Sequence, residues 1–152
     1  QAMGVPSNDL QGTVIGGHGD TTMIPLTRLA SYQSSPVSAH LSEERLAKAK
    51  ADTMVGGATL TGLLGTSAWY APGAAGAALV ASIVRDEKRV FPCCVALNGE
   101  YGQSDICLGV PVVVGKNGWE KIVTLDLTEA EQAEFNKSAA AVRSMNAVLD
   151  TL

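Results

Sequence analysis

Apolar and polar residues follow two different periods along this chain, and the changes of period mark its elements. Between Gln11 and Ile15, and again between Thr22 and Ser31, β-branched and apolar residues dominate, which predicts strands flanking a glycine-rich turn at residues 16–20. Pro36 closes this region. From Ser42 the period becomes helical, with Leu46, Ala49, Thr53, Gly56 or Gly57, Leu60 and Leu64 recurring at three- and four-residue steps. Ser42 reads as an N-cap, and Glu43 and Glu44 lie at the positive end of the helix dipole, so one long helix is predicted to run to about Leu64. A Gly in a helix interior costs about 1 kcal/mol relative to Ala. The Gly56-Gly57 pair therefore suggests close approach by another backbone.

A second helix is predicted over Trp69–Arg85, with Pro72 in its first turn. The run Gly73, Ala74, Ala75, Gly76, Ala77, Ala78 has almost no side-chain bulk, which fits either a tight internal helix pair or a subunit interface. Arg89–Leu97 reads as a strand ending at the Asn98-Gly99 turn. Ile106–Val114 and Glu120–Leu125 form a hairpin around Lys116-Asn117-Gly118. Thr128-Glu129-Ala130-Glu131 is a capping box, and Phe135, Ala139, Val142, Met145 and Leu149 give the following helix an apolar face that should dock on the core. Strands and helices do not alternate strictly, so a mixed α+β fold is expected rather than a doubly wound parallel sheet.

Length and composition narrow the class. A chain of 152 residues is one domain's worth, and 46% hydrophobic with 17% charged residues excludes a disordered chain. Net charge is −4 with basic residues scattered, so no nucleic-acid footprint is present. The longest apolar stretch, Ala68–Val84, is interrupted and falls short of the roughly 20 residues that span a bilayer, so it is expected to be a buried helix rather than a membrane segment. Three cysteines, Cys93, Cys94 and Cys107, make a poor disulfide framework and suit a reducing, cytoplasmic setting. With only two histidines and no CxxC spacing, no metal site is expected. The chain opens on Gln1 with no signal peptide behind it, which reads as part of a longer protein.

Candidate chemistry centres on one turn. No G-x-G-x-x-G occurs, and Gly109–Asn117 departs from a P-loop because its glycines are one residue too far apart and Asn117 stands where a Ser/Thr is needed. In Gly16-Gly17-His18-Gly19-Asp20 the glycines strip bulk from around His18 and permit positive φ, which would let a flat ligand approach beside the imidazole. The same turn suits an ordinary loop histidine, so the residues by themselves leave both readings open. Asp20 reads as structural, a carboxylate placed to cap backbone amides.

Val14-Ile15-Gly16-Gly17-His18-Gly19-Asp20 resembles the catalytic-histidine segment of the lactate/malate dehydrogenase superfamily. Pro25, Gly65-Thr66-Ser67-Ala68-Trp69-Tyr70-Ala71-Pro72, Tyr101-Gly102 and Gly109-Val110-Pro111-Val112 follow in the family's order and spacing, so residues 1–152 are identified as its C-terminal, substrate-binding domain. The double glycine before His18 and the Ser67-Ala68 pair are more similar to the lactate-dehydrogenase-like malate dehydrogenases than to lactate dehydrogenases.

The resemblance implies an NAD-dependent oxidoreductase acting on malate and oxaloacetate, with His18 as proton acceptor and donor and Ser67 near the substrate. Reducing a ketone by hydride transfer requires a proton on the new alkoxide, and an imidazole can supply it near neutral pH. Ser67 equally suits a helix N-cap. The resemblance further implies that the NAD-binding domain, the aspartate that orients the histidine and the arginine that grips the substrate carboxylate all precede Gln1. By itself the chain is then expected to be inactive. A dimer or a tetramer of dimers is implied, with the helices from Gly56 to Ala81 as candidate contacts. A lactate dehydrogenase domain, or a catalytically silent folding and assembly module, are the alternatives.

Overall fold

The computed structural model describes residues 2–151; Gln1 lies outside the described residues. In chain order the strands are β1 (Leu10–Gln11), β2 (Val14–Gly16), β3 (Met23–Pro25), β4 (Ser31–Tyr32) and β5 (Ser35–Pro36). Helices α1 (Glu43–Met54), α2 (Gly56–Leu64) and α3 (Tyr70–Val84) come next, then β6 (Arg89–Asn98), β7 (Ser104–Gly115), β8 (Gly118–Ile122) and α4 (Glu129–Asn146). Every strand pair is antiparallel, as the α+β reading expects.

The long strands β6 and β7 form the frame. Their register brings Phe91, Cys93, Val95 and Leu97 opposite Val112, Val110, Leu108 and Ile106 on one face, and this face is the core. On its other edge β7 takes two neighbours in succession. It meets β2 at the single pair Gly16↔Gly109, then runs along β8 from Val112 to Gly115. Helix α4 closes the core with Phe135 and Ala139, both buried, and Tyr101 lies 5.0 Å from the Phe135 ring.

Helix α4 begins as expected: Thr128 Oγ1 accepts from Glu131 N–H, and the Glu131 carboxylate accepts from Thr128 N–H. The same carboxylate receives a two-pronged bond from Arg28 at 3.1 and 3.0 Å, which holds it below the usual carboxylate range. Lys50 pairs with Glu134 at 2.7 Å, so α1 is tied to α4 as well. The apolar face, however, outlasts the core. Met145 and Leu149 are exposed, whereas Val142 packs against it.

Three expectations are corrected. The strand expected over Gln11–Ile15 divides at Gly12-Thr13, because β1 joins a small sheet with β4 and β5 while β2 joins the main one. Thr22–Ser31 is likewise interrupted. Pro25 has no N–H with which to continue a ladder, and Thr27–Leu29 forms a 3-10 turn after it. The single helix predicted from Ser42 to Leu64 is two helices hinged at Val55 (φ −99°, ψ 3°). A β-branched residue followed by two glycines is a weak point in any helix.

A further correction concerns burial. The apolar run Ala68–Val84 was expected to be a buried helix, yet of α3 only Ser82 is fully buried, with Leu79 and Ile83 against the core. Ser82 donates to Val114 C=O at 2.8 Å and fastens the end of α3 to β7. The glycines of α2 and α3 face open space, with no atom within 4 Å of where a Cβ would lie. No close backbone approach explains them within this chain.

Past α3, Asp86 accepts from Lys116 N–H, and Lys88 bridges Asp86 and Glu120. The Lys116 amide is the main cause of the lowering of Asp86 below its ordinary 3.8, with Lys88 adding to it, while Lys88 is the main cause for Glu120, below 4.5. Carboxylates depressed in the folded state contribute stability that is complete above their unfolded values and disappears as pH falls through the folded ones. Lys88 is exposed and its two partners partly so, and solvent screening keeps the effect small. Lys88→Met should therefore lower the melting temperature slightly at neutral pH, and the difference from wild type should vanish by about pH 2. A pH-independent difference would contradict the ion-pair account.

The Gly16–Gly109 contact makes a larger prediction. A Cβ at Gly109 would lie 2.8 Å from the Gly16 carbonyl oxygen, backbone against backbone, with neither side able to rotate away. Gly109→Ala should cost about 1–3 kcal/mol, the usual penalty of overpacking, as measured by urea denaturation. Gly57→Ala, which faces open space within the chain, should be neutral or stabilising by up to about 1 kcal/mol in the monomer.

Candidate functional site

Strands β2 and β3 form a hairpin in register Val14↔Pro25, Ile15↔Ile24 and Gly16↔Met23, and the turn between them carries His18. The turn is closed by its own backbone, since the N–H groups of Thr22 and Met23 both donate to Gly19 C=O at 3.0 Å. Asp20 is exposed and these amides take Gly19 as their partner instead, so the capping role expected of its carboxylate is filled by a backbone carbonyl.

Gly16 has φ +93°, a conformation that L side chains rarely adopt. Its Cβ would also lie 2.6 Å from Thr22 O and 2.9 Å from Ser138 Oγ, and a Cβ at Gly17 would lie 2.9 Å from Val142 Cγ2. The glycines therefore serve a purpose beyond the one expected of them. On one side they let helix α4 press against the backbone of the turn, and on the other Gly16 and Gly17 line the cavity beside His18. Ser138, almost fully buried on α4, accepts from Gly17 N–H at 2.9 Å and donates to Thr22 C=O at 2.6 Å. Sequence reasoning passed over it, although a hydroxyl between Phe135 and Val142 on an apolar helix face was a usable signal.

With its backbone held from below, His18 stands exposed at the edge of a cavity of about 220 Å³. Val14, Met23, Pro92, Cys93, Cys94 and Gly109 line it with His18, so the walls are mainly apolar. Burial raises the thiols of Cys93 and Cys94, and each is raised further by a neighbouring cysteine, Cys94 and Cys107 respectively. Because the thiolate is the nucleophile, these are unactivated wall residues. What remains is one imidazole facing a small apolar hollow, an arrangement suited to exchanging a proton with a ligand oxygen.

Ser67 is elsewhere. It sits exposed on the connection Gly65–Trp69, outside the lining of the His18 cavity among the described residues. The N-cap reading fails, since Trp69 occupies that position and makes no side-chain cap. Larger hollows of 460 and 520 Å³ lie by α1. The second histidine, His40, borders one of them but is engaged, its Nε2 being 3.1 Å from Ser35 Oγ and its ring edge-on to Tyr32. Among the described residues, no cluster of His, Cys, Asp and Glu suits a metal ion, and no helix is long and apolar enough to cross a membrane.

Residues 1–149 match the family model described as lactate/malate dehydrogenase, alpha/beta C-terminal domain. The chain is 64% identical over 149 residues to malate dehydrogenase of Bacteroides fragilis, covering 98% of this chain and 48% of that protein. Among solved structures, malate dehydrogenase from Salinibacter ruber superposes with TM-score 0.93 at 40% identity, covering 97% of this chain and 48% of its own. Lactate dehydrogenase from Cryptosporidium parvum, solved with lactic acid and nicotinamide adenine dinucleotide, gives TM-score 0.94 at 34% identity over the whole of this chain and 50% of that one. The chain thus spans about half the length of the relatives it matches. In sequence along nearly its full length, and in fold, this chain belongs to the lactate/malate dehydrogenase family as its alpha/beta C-terminal domain.

Proposed function

We propose that this chain is the substrate-binding half of an NAD-dependent L-malate dehydrogenase, with His18 exchanging a proton with the oxygen on the reacting carbon. The observation that carries this reading is an exposed imidazole on an immobilised turn, facing a small apolar cavity. The preference for malate over lactate rests on relatedness, 64% identity to a malate dehydrogenase against 34% to a lactate dehydrogenase.

The cavity volume of 220 Å³ lies below the roughly 300–1,000 Å³ of pockets for drug-sized ligands. It fits the reacting end of a cofactor and a small acid, not a whole dinucleotide. The apolar walls suit the nicotinamide ring, while the pyrophosphate cradle belongs to the nucleotide-binding half, outside this chain. NADH, when bound, supplies the hydride. His18, protonated, hydrogen-bonds the keto oxygen of oxaloacetate and gives it a proton as the carbon is reduced; in malate oxidation the neutral ring takes that proton back. Ser67, on the exposed α2–α3 connection, contacts the substrate or an ordered water in the assembled enzyme. The aspartate that orients His18 and the arginine that grips a carboxylate come from the other half, and the isolated chain is inactive.

A second feature bears on assembly. Leu63, Tyr70 and Val84 are 81%, 85% and 78% exposed, and with Leu64, Trp69 and Val80 they leave α2 and α3 with an uncovered apolar face. Such faces mark contact surfaces, and glycines facing open space would let another helix approach closely. We assign this face to a dimer contact between copies of the chain. Its three free cysteines suit a reducing, cytoplasmic setting.

In the enzyme that contains this chain, His18→Asn should lower turnover by about 10²–10⁴-fold, the usual share of general acid–base catalysis, with folding and NADH binding retained. Near-normal turnover would refute the proton role. Oxaloacetate should be reduced in preference to pyruvate; the reverse would make the enzyme a lactate dehydrogenase. For assembly, sedimentation of the chain should show a dimer that Leu63→Glu with Val84→Glu converts to monomer, and a wild-type chain that stays monomeric at high concentration would overturn the assignment.

A further inference from the structure

Ser138 makes two hydrogen bonds with one oxygen, and they reach both ends of the same turn. Its Oγ accepts from Gly17 N–H at 2.9 Å and donates its only proton to Thr22 C=O at 2.6 Å. His18 lies between these two anchor points and is the neighbour of the first. Ser138 is only 3% exposed, and with Thr22 it borders a hollow of about 170 Å³ beside the turn. Without the hydroxyl, the buried Gly17 N–H and the partly buried Thr22 C=O lose the side chain that joins them, and the two stems of the turn are no longer tied to α4 or to each other.

We infer that Ser138 is a positioning residue for His18: its hydroxyl clamps the two stems of the turn and so sets where the imidazole meets the substrate. The inference rests on the proton role of His18 proposed above. Helix α4 does not need Ser138 to stay in place. Phe135 and Ala139 bury into the core on either side of it, and ion pairs from Arg28 and Lys50 hold its first turns. Loss of the hydroxyl therefore acts on the turn rather than on the docking of the helix.

The test compares Ser138→Ala, Ser138→Cys and Thr128→Ala in the enzyme containing this chain. Cysteine keeps nearly the same volume but is a weak donor and acceptor, so it decides the matter if the alanine variant does not fold. Thr128→Ala removes the α4 cap, ten residues before Ser138, and serves as the control for stability. A misplacement of about 1 Å can cost on the order of 10²-fold in rate, so both Ser138 variants should lose about 10–100-fold in kcat while KM for NADH is unchanged. The Gly17 amide should also exchange faster with solvent. Thr128→Ala, matched for loss of melting temperature, should keep kcat within about twofold.

Normal kcat in both Ser138 variants despite faster Gly17 exchange would overturn the inference. So would a loss of kcat in Thr128→Ala equal to theirs, since stability alone would then account for both. His18→Asn is run alongside to separate the two readings. If it abolishes turnover while the Ser138 variants are normal, only the clamp fails. If it leaves turnover intact, the proton role fails and the clamp loses its purpose with it.

Discussion

The domain depends on one place where backbones meet without side chains between them. Gly16 at the end of β2 lies against Gly109 of β7, and the turn that follows lies against Ser138 and Val142 of α4. A methyl group at any of these glycines would fall 2.6–2.9 Å from a neighbouring atom. Because β2 touches β7 only at this pair, the contact decides whether the hairpin carrying His18 joins the main sheet at all. It also allows a hydroxyl on α4 to reach the turn.

The remaining elements build outward from that junction. The β6–β7 ladder supplies a continuous apolar face, α4 covers it, and ion pairs from Arg28 and Lys50 fix the helix where its hydroxyl meets the turn. Tyr101 supports the other edge of α4. Its hydroxyl accepts from Leu125 N–H at 2.9 Å, and its carbonyl accepts from Gln132. A rigid scaffold with His18 on a short, pinned turn suits the proton transfer proposed for it, since the rate of such a step depends steeply on the position of the imidazole. Helices α2 and α3 are built on the opposite principle, rich in small and apolar residues yet uncovered. It is this face that is assigned above to the proposed dimer contact.

How much was legible from residues alone varied with the range of the physics. Local signals read correctly: the Thr128–Glu131 capping box, the Lys116-Asn117-Gly118 hairpin, the Ser42 cap and the strand over Arg89–Leu97 all depend on neighbours within a few positions. Burial read poorly. An apolar helix such as α3 looks buried in sequence, but whether its face is covered by its own chain or left open is not a local property. The hinge at Val55 was visible as a weak Val-Gly-Gly stretch, though its periodic leucines argued for continuity.

The glycines mark the division most clearly. By itself the sequence determined that bulk was excluded around His18, that a positive φ was permitted there, and that the motifs in order resembled one dehydrogenase family. It could not determine which partner filled the space. A glycine encodes an absent Cβ and carries no record of its neighbour, and Gly16 and Ser138 are more than a hundred positions apart. Only the tertiary structure decided that a helix packs against one side of these glycines, and that a serine on it bridges both stems of the turn that holds the imidazole.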